Sequence, residues 1–227
     1  VTQPRKLITE SQQSHLAKFE TQPLVSSAFD RTQLPNGLRI LTSTFRHTNA
    51  VSIIFLFGAG SRYETPELAG ASHLFEHMLF KGTPTRPTPK EISEVVEGVG
   101  GTLNAFTDRE VTGYWCRVAQ PNYRDSIDLL SDMTLNSFFK DEDIAKEKQV
   151  VYEEIRASND SPGARVSMLL DELMWPNQPL GRDIAGSVES VGAISREQML
   201  EYLKTQYVGS NTVVAVAGNI EHADVVE

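Results

Sequence analysis

The stretch A-S-H-L-F-E-H-M-L-F-K-G-T, residues 71–83, constrains what this chain can fold into more than any other. Its spacing predicts a helix that stops at Gly82. At about 3.6 residues per turn, His73 and His77 share one face, one turn above the other, and Glu76 flanks them. Ala71, Leu74, Phe75, Met78 and Leu79 take the opposite side. The apolar side needs a core, and the imidazole–carboxylate side needs a polar companion. For either histidine taken singly, a hydrogen-bonded core or surface position is the plainer account. Together, two imidazoles one turn apart can aim at a single point, where zinc, with bonds of about 2.0–2.1 Å, is the usual occupant. The full H-x-x-E-H string is the inverted form of the H-E-x-x-H zinc motif.

Bulk properties narrow the function classes. The 227 residues are 40% hydrophobic, enough for one sizeable core. A net charge of -9 and a pI near 5.1 argue against nucleic-acid and anionic-membrane surfaces, and suit basic peptides. No apolar run approaches the roughly 20 residues that span a bilayer. A soluble protein is expected, cytoplasmic rather than periplasmic. Cys116 is the single cysteine, so no internal disulfide forms. Residues 1–28 are polar and lack the apolar core of a signal peptide. They read as an arm ahead of one domain over 29–227. After Asn219 an acid-rich helix begins, and the sequence ends barely two turns later; a longer parent protein is expected.

The remaining pattern mixes strands and helices. Residues 34–43 read as an Asn-Gly turn running into a strand, and A-V-S-I-I-F-L-F at 50–57 as a central strand. A hairpin is expected over 100–107 and 112–118, and a last strand over 211–219. Helices are expected over 89–99, 121–137, 141–157, 163–174 and 195–206. Hairpins point to antiparallel pairing. The expected fold is α+β, a mostly antiparallel sheet with helices packed on one side.

A catalytic zinc takes three protein ligands and leaves one position for water. His15, His47 and His222 have no partner at ligand spacing. The helix D-E-D-I-A-K-E-K-Q-V-V-Y-E-E-I-R offers more. At about 100° per residue, Ile144, Val150, Val151 and Ile155 make an inward stripe. Glu147 and Glu154 lie one above the other on its flank. Buried carboxylates need a cation. Glu154 is the candidate third ligand, and Glu147 the candidate partner for the free N–H of a ligand histidine. A salt-bridged helix flank is the bland alternative.

Four stretches carry a resemblance: H-L-F-E-H-M-L-F-K-G-T (73–83), G-S-R-Y-E (60–64), G-G-T-L-N-A-F-T (100–107) and E-K-Q-V-V-Y-E-E (147–154). With these, the sequence from about Leu34 onward resembles the pitrilysin, insulinase and mitochondrial processing peptidase family of zinc metallopeptidases. It looks most like the N-terminal catalytic half of processing-peptidase-like bacterial proteins. The resemblance implies one Zn2+ held by His73, His77 and Glu154, with Glu147 behind the ligands. It makes Glu76 the general base on the water that zinc activates, in a peptide-cleaving endopeptidase. It implies that substrate adds as a strand beside Asn104, Ala105 and Phe106. The implied fold is the metallohydrolase sandwich shared with S-ribosylhomocysteine-cleaving enzymes. A second homologous domain or subunit is implied as partner, in a dimer or a closed two-half chamber. Two rivals are a non-catalytic structural subunit, which would have lost motif residues, and an S-ribosylhomocysteine-cleaving enzyme. The second would need a cysteine ligand, and Cys116 beside Trp115 reads as packing.

Overall fold

The computed structural model describes residues 29–227; the polar arm expected over 1–28, with His15, lies outside the described residues. In chain order come β1 (Asp30–Gln33), β2 (Arg39–Thr44), β3 (Ala50–Phe57), α1 (Ala71–Met78), α2 (Pro89–Glu97), β4 (Thr102–Thr107) and β5 (Thr112–Ala119). They are followed by α3 (Tyr123–Asn136), α4 (Asp141–Asp160), α5 (Pro162–Met174), α6 (Val188–Ala193), α7 (Arg196–Gln206), β6 (Thr212–Gly218) and α8 (His222–Val226). The strands form one sheet in the order β1-β2-β6-β3-β5-β4. Its pairs are antiparallel except β2 with β6, where Arg39 pairs with Val213 and Thr44 with Gly218. The fold is therefore α+β and mostly antiparallel.

Alternation along the central strands sets the layers. Val51, Ile53, Phe55 and Phe57 of β3 are buried, as are Tyr114, Cys116 and Val118 of β5 and Val214 and Val216 of β6. Against them pack Leu74, Phe75 and Met78 of α1, Leu129, Leu130 and Met133 of α3, and Met199 and Tyr202 of α7. Phe75 stacks on Tyr202 at 5.1 Å and meets Phe139 edge-on at 5.4 Å. Burying a side chain of that size contributes about 1.5–3 kcal/mol, so α1 is anchored chiefly by its apolar side. On the opposite face, Leu41, Ser52, Ile54, Trp115 and Ala215 line an open apolar groove with Phe29.

Several elements depart from the expectations. The polar edge strand β1 and the short helix α6 were not expected, and β2 lies parallel to β6. The motif helix ends at Met78, before Gly82. Gly82 instead holds φ +129° where the chain doubles back, and a Cβ there would meet the Pro87 carbonyl at 2.5 Å. His222 is held between the Thr32 and Thr42 hydroxyls, each at 2.8 Å, and ties α8 to β1 and β2. Val150, placed on the inward stripe of α4 by its angle, is exposed, and Ile144, Val151 and Ile155 alone of that stripe are buried.

Candidate metal centre

Two helices position the polar cluster. α1 lays its apolar side into the core and turns His73 and His77 towards α4; their rings stand 4.8 Å apart at 75°. α4 brings Glu154 to them. Its Oε2 lies 3.6 Å from His73 Nε2 and 3.5 Å from His77 Nε2. Among the described residues, His73, His77 and Glu154 are the group of three whose ligand atoms all lie within 4.8 Å of one another. Donors on one tetrahedral ion with bonds of about 2.0–2.1 Å stand about 3.3–3.4 Å apart. The two nitrogen–carboxylate separations are close to that, and the N,N,O donor set suits zinc. The residues present therefore fit the ion.

Of the three, His77 is supported from behind. The His77 Nδ1–H donates to Glu147 Oε2 at 3.1 Å, and the ring's other nitrogen, Nε2, faces Glu154. Lys81 Nζ holds the other oxygen of Glu147 at 2.7 Å. Glu147 is buried, and Lys81 keeps its charge compensated. Glu154, in contrast, is 46% exposed, since the ligand side of the cluster opens to solvent. The sequence pattern put both carboxylates on a buried flank; only Glu147 is buried. Burial holds the His73 imidazole below its usual pKa, helped by His77 and opposed by Glu154, Glu76 and Asp183. A neutral imidazole is the form that binds metal. His73 Nδ1 is buried without a hydrogen-bond partner among the described residues.

Glu76 is tied to the edge strand: Thr107 Oγ1 donates to its Oε2 at 2.6 Å. Among the described residues β4 is a sheet edge, paired only with β5. Along it Asn104 and Phe106 are exposed, and the Ala105 N–H is taken by Asn104 Oδ1 at 2.8 Å. A cavity of about 330 Å3 lies between α5 and the loop carrying Asp183, lined by Ser158, Ala164, Met168 and Asp171. Cys116 lies in the sheet core, where burial pushes its thiol up to about 11. It is no part of the cluster.

Sequence reasoning missed Thr107 as the partner of Glu76 and Lys81 as the partner of Glu147. Lys81 sits one turn beyond His77 on the same face, a spacing that was available. Thr107 carried no signal, because its contact depends on how β4 meets α1.

A family model for insulinase, peptidase family M16, matches residues 39–188. The chain belongs to this family. A protein of Rickettsia felis described as an uncharacterized zinc protease is 38% identical over 198 residues, covering 87% of this chain and 48% of its own length. The probable mitochondrial-processing peptidase subunit beta of Arabidopsis thaliana is 38% identical over 199 residues, covering 86% of this chain and 37% of its own. The chain thus spans about half the length, or less, of these curated relatives. The solved structure of a peptidase M16 inactive domain from Pseudomonas fluorescens superposes with a TM-score of 0.80 at 18% identity, over 86% of this chain and 48% of that one. M16 membership supports a peptidase role and zinc dependence within the family, whereas the fold by itself is shared with a domain described as inactive. Among the described residues no helix is long and apolar enough to cross a membrane.

Proposed function

We propose that this chain is the metal-binding half of a zinc-dependent endopeptidase that cleaves peptides or unfolded polypeptides. The observation that carries the reading is the meeting of His73, His77 and Glu154 from two helices, with Glu147 behind His77. His73 Nε2, His77 Nε2 and a Glu154 oxygen would hold the ion. Zinc bound there supplies a Lewis acid for the scissile carbonyl and lowers the pKa of a water. Glu76, fixed by Thr107, accepts a proton from the attacking water and returns it to the departing amine nitrogen. The free edge of β4 takes the substrate as an added strand along Asn104, Ala105 and Phe106, so that main-chain hydrogen bonds supply affinity. An incoming carbonyl would replace Asn104 Oδ1 on the Ala105 N–H.

The apolar face of the sheet that the described residues leave uncovered and the doubled length of the relatives support a second homologous half, or a partner subunit, packed against this one. The rival is a non-catalytic, metal-binding subunit, in keeping with the inactive domain that shares this fold.

The two readings separate on Glu76→Gln in the full-length protein. As an endopeptidase, the variant keeps its zinc by elemental analysis and loses peptide cleavage by at least about a hundredfold. Wild-type protein that holds zinc but cleaves none of a varied peptide set, with or without a chelator, would leave the non-catalytic reading standing.

A further inference from the structure

The G-S-R-Y-E stretch at 60–64 takes no part in the function as drawn, yet it ends in a buried carboxylate. Glu64 is 4% exposed. Its Oε2 accepts the Gly70 N–H at 2.8 Å and its Oε1 the Ser72 N–H at 2.7 Å. Those two donors belong to the first turn of α1, whose leading N–H groups have no partner inside the helix. The residue at the cap position cannot serve them, because Gly70 has no side chain. Nor can it easily be replaced: it sits at φ +92°, and a Cβ there would meet the Ala185 carbonyl at 2.5 Å. The capping role that Ser, Thr or Asp usually fills therefore passes to a glutamate six residues upstream.

Other groups keep that carboxylate in place. Arg182 donates to the main-chain oxygen of Glu64, and Ser72, whose N–H it holds, exchanges a 2.7 Å hydrogen bond with Tyr202. Burial pushes the Glu64 carboxyl pKa up, against the pull of the Ser72 and Gly70 bonds and of Arg182.

The position has an electrostatic consequence. His73 is the third residue of α1, in the first turn, so a dication held by its Nε2 would bind at the end of the helix that carries the positive pole. That pole amounts to roughly half a unit charge and repels a cation. We propose that Glu64 is a positioning residue for the metal site, fixing the first turn of α1 and offsetting its positive pole where a metal ion must bind. This rests on the zinc reading above, and the test separates the two.

In the full-length protein, Glu64→Gln keeps the side-chain shape and one acceptor while removing the charge. Glu64→Asp keeps the charge on a shorter arm, and Glu67→Gln removes an exposed charge from the same segment without touching α1. Zinc affinity is read by competition with a chelator, beside thermal unfolding of the metal-free proteins. The expected result is a zinc Kd about tenfold higher for Glu64→Gln, a few-fold higher for Glu64→Asp and unchanged for Glu67→Gln. Metal-free melting temperatures that fall too little to explain the loss complete the expected result. An unchanged Kd in Glu64→Gln, or a loss wholly accounted for by unfolding of the metal-free protein, overturns the inference. If Glu64→Gln does not fold, a Kd for Glu64→Asp equal to that of Glu67→Gln overturns it. Wild-type protein that binds no zinc overturns the zinc reading and this inference together. Zinc binding that is equal in wild type and Glu64→Gln overturns only the role of Glu64.

Discussion

Glu76 on α1 and Glu147 on α4 are two carboxylates of one cluster held in different ways, as the different purposes proposed for them require. Glu147 is locked by two cationic or N–H partners, Lys81 and His77, and has no freedom to move a proton. Glu76 has a hydroxyl on one oxygen, from Thr107, and keeps the other open for chemistry. Removing that hydroxyl should disturb orientation without touching the ligands. Thr107→Val is isosteric, and a hydrogen bond of this kind is worth about 1 kcal/mol. Peptide-cleavage kinetics should show kcat lowered roughly five- to tenfold, with KM and zinc content unchanged. A variant with wild-type kcat would remove Thr107 from the catalytic arrangement.

At the scale of elements, the chain from the end of α1 to α2 is strapped to α3 by one carboxylate. Asp132, on α3, is 7% exposed and accepts from Thr83 at 2.6 Å and from Arg86 at 2.7 Å, with Thr85 and Asn136 completing its shell. Burial alone would raise its pKa, but these bonds hold it down at about 2, from an ordinary 3.8. A folded-state pKa below the unfolded one stabilises the protein fully above about pH 4 and loses that contribution as pH falls towards 2. Melting temperature should therefore drop through this window. Asp132→Asn should melt lower at pH 7, by the equivalent of roughly 2 kcal/mol, and vary less between pH 4 and 2. Parallel acid profiles for the two proteins would rule the strap out as the cause.

Legibility followed the range of each interaction. α1, α3, α4 and α7 were readable because apolar spacing is local. The common face of His73 and His77 was readable for the same reason, and the α4 wheel singled out Glu147 and Glu154. β1 was not readable, since D-R-T-Q has no apolar alternation and owes its strand to pairing with β2. α6 escaped because V-E-S-V-G-A is short and carries a glycine; its capping box at Ser187 and Ser190 was the signal available. The parallel register of β2 with β6, and the reach of Glu64 to α1, depend on how distant segments meet. No spacing rule encodes them.

Over the described residues as a whole, the sheet has helices on one face and an apolar groove on the other. Ile54 lies at the centre of that groove, opposite Trp115 on β5 and Ala215 on β6. A charge placed there has two very different costs. On a face open to water it is a surface substitution, within about 0.5 kcal/mol of neutral. On a face covered by a second half it is an unpaired buried ammonium, which costs several kcal/mol or forces the halves apart. Ile54→Lys, compared by urea unfolding in the 227-residue chain and in the full-length protein, reads this difference directly. The proposed two-half arrangement predicts a small change in the short chain and a loss of more than about 2 kcal/mol, or separation of the halves, in the long one. Equal, small changes in both would mean that the groove stays exposed and that the second half, if it closes over the substrate, packs somewhere other than this face of the sheet.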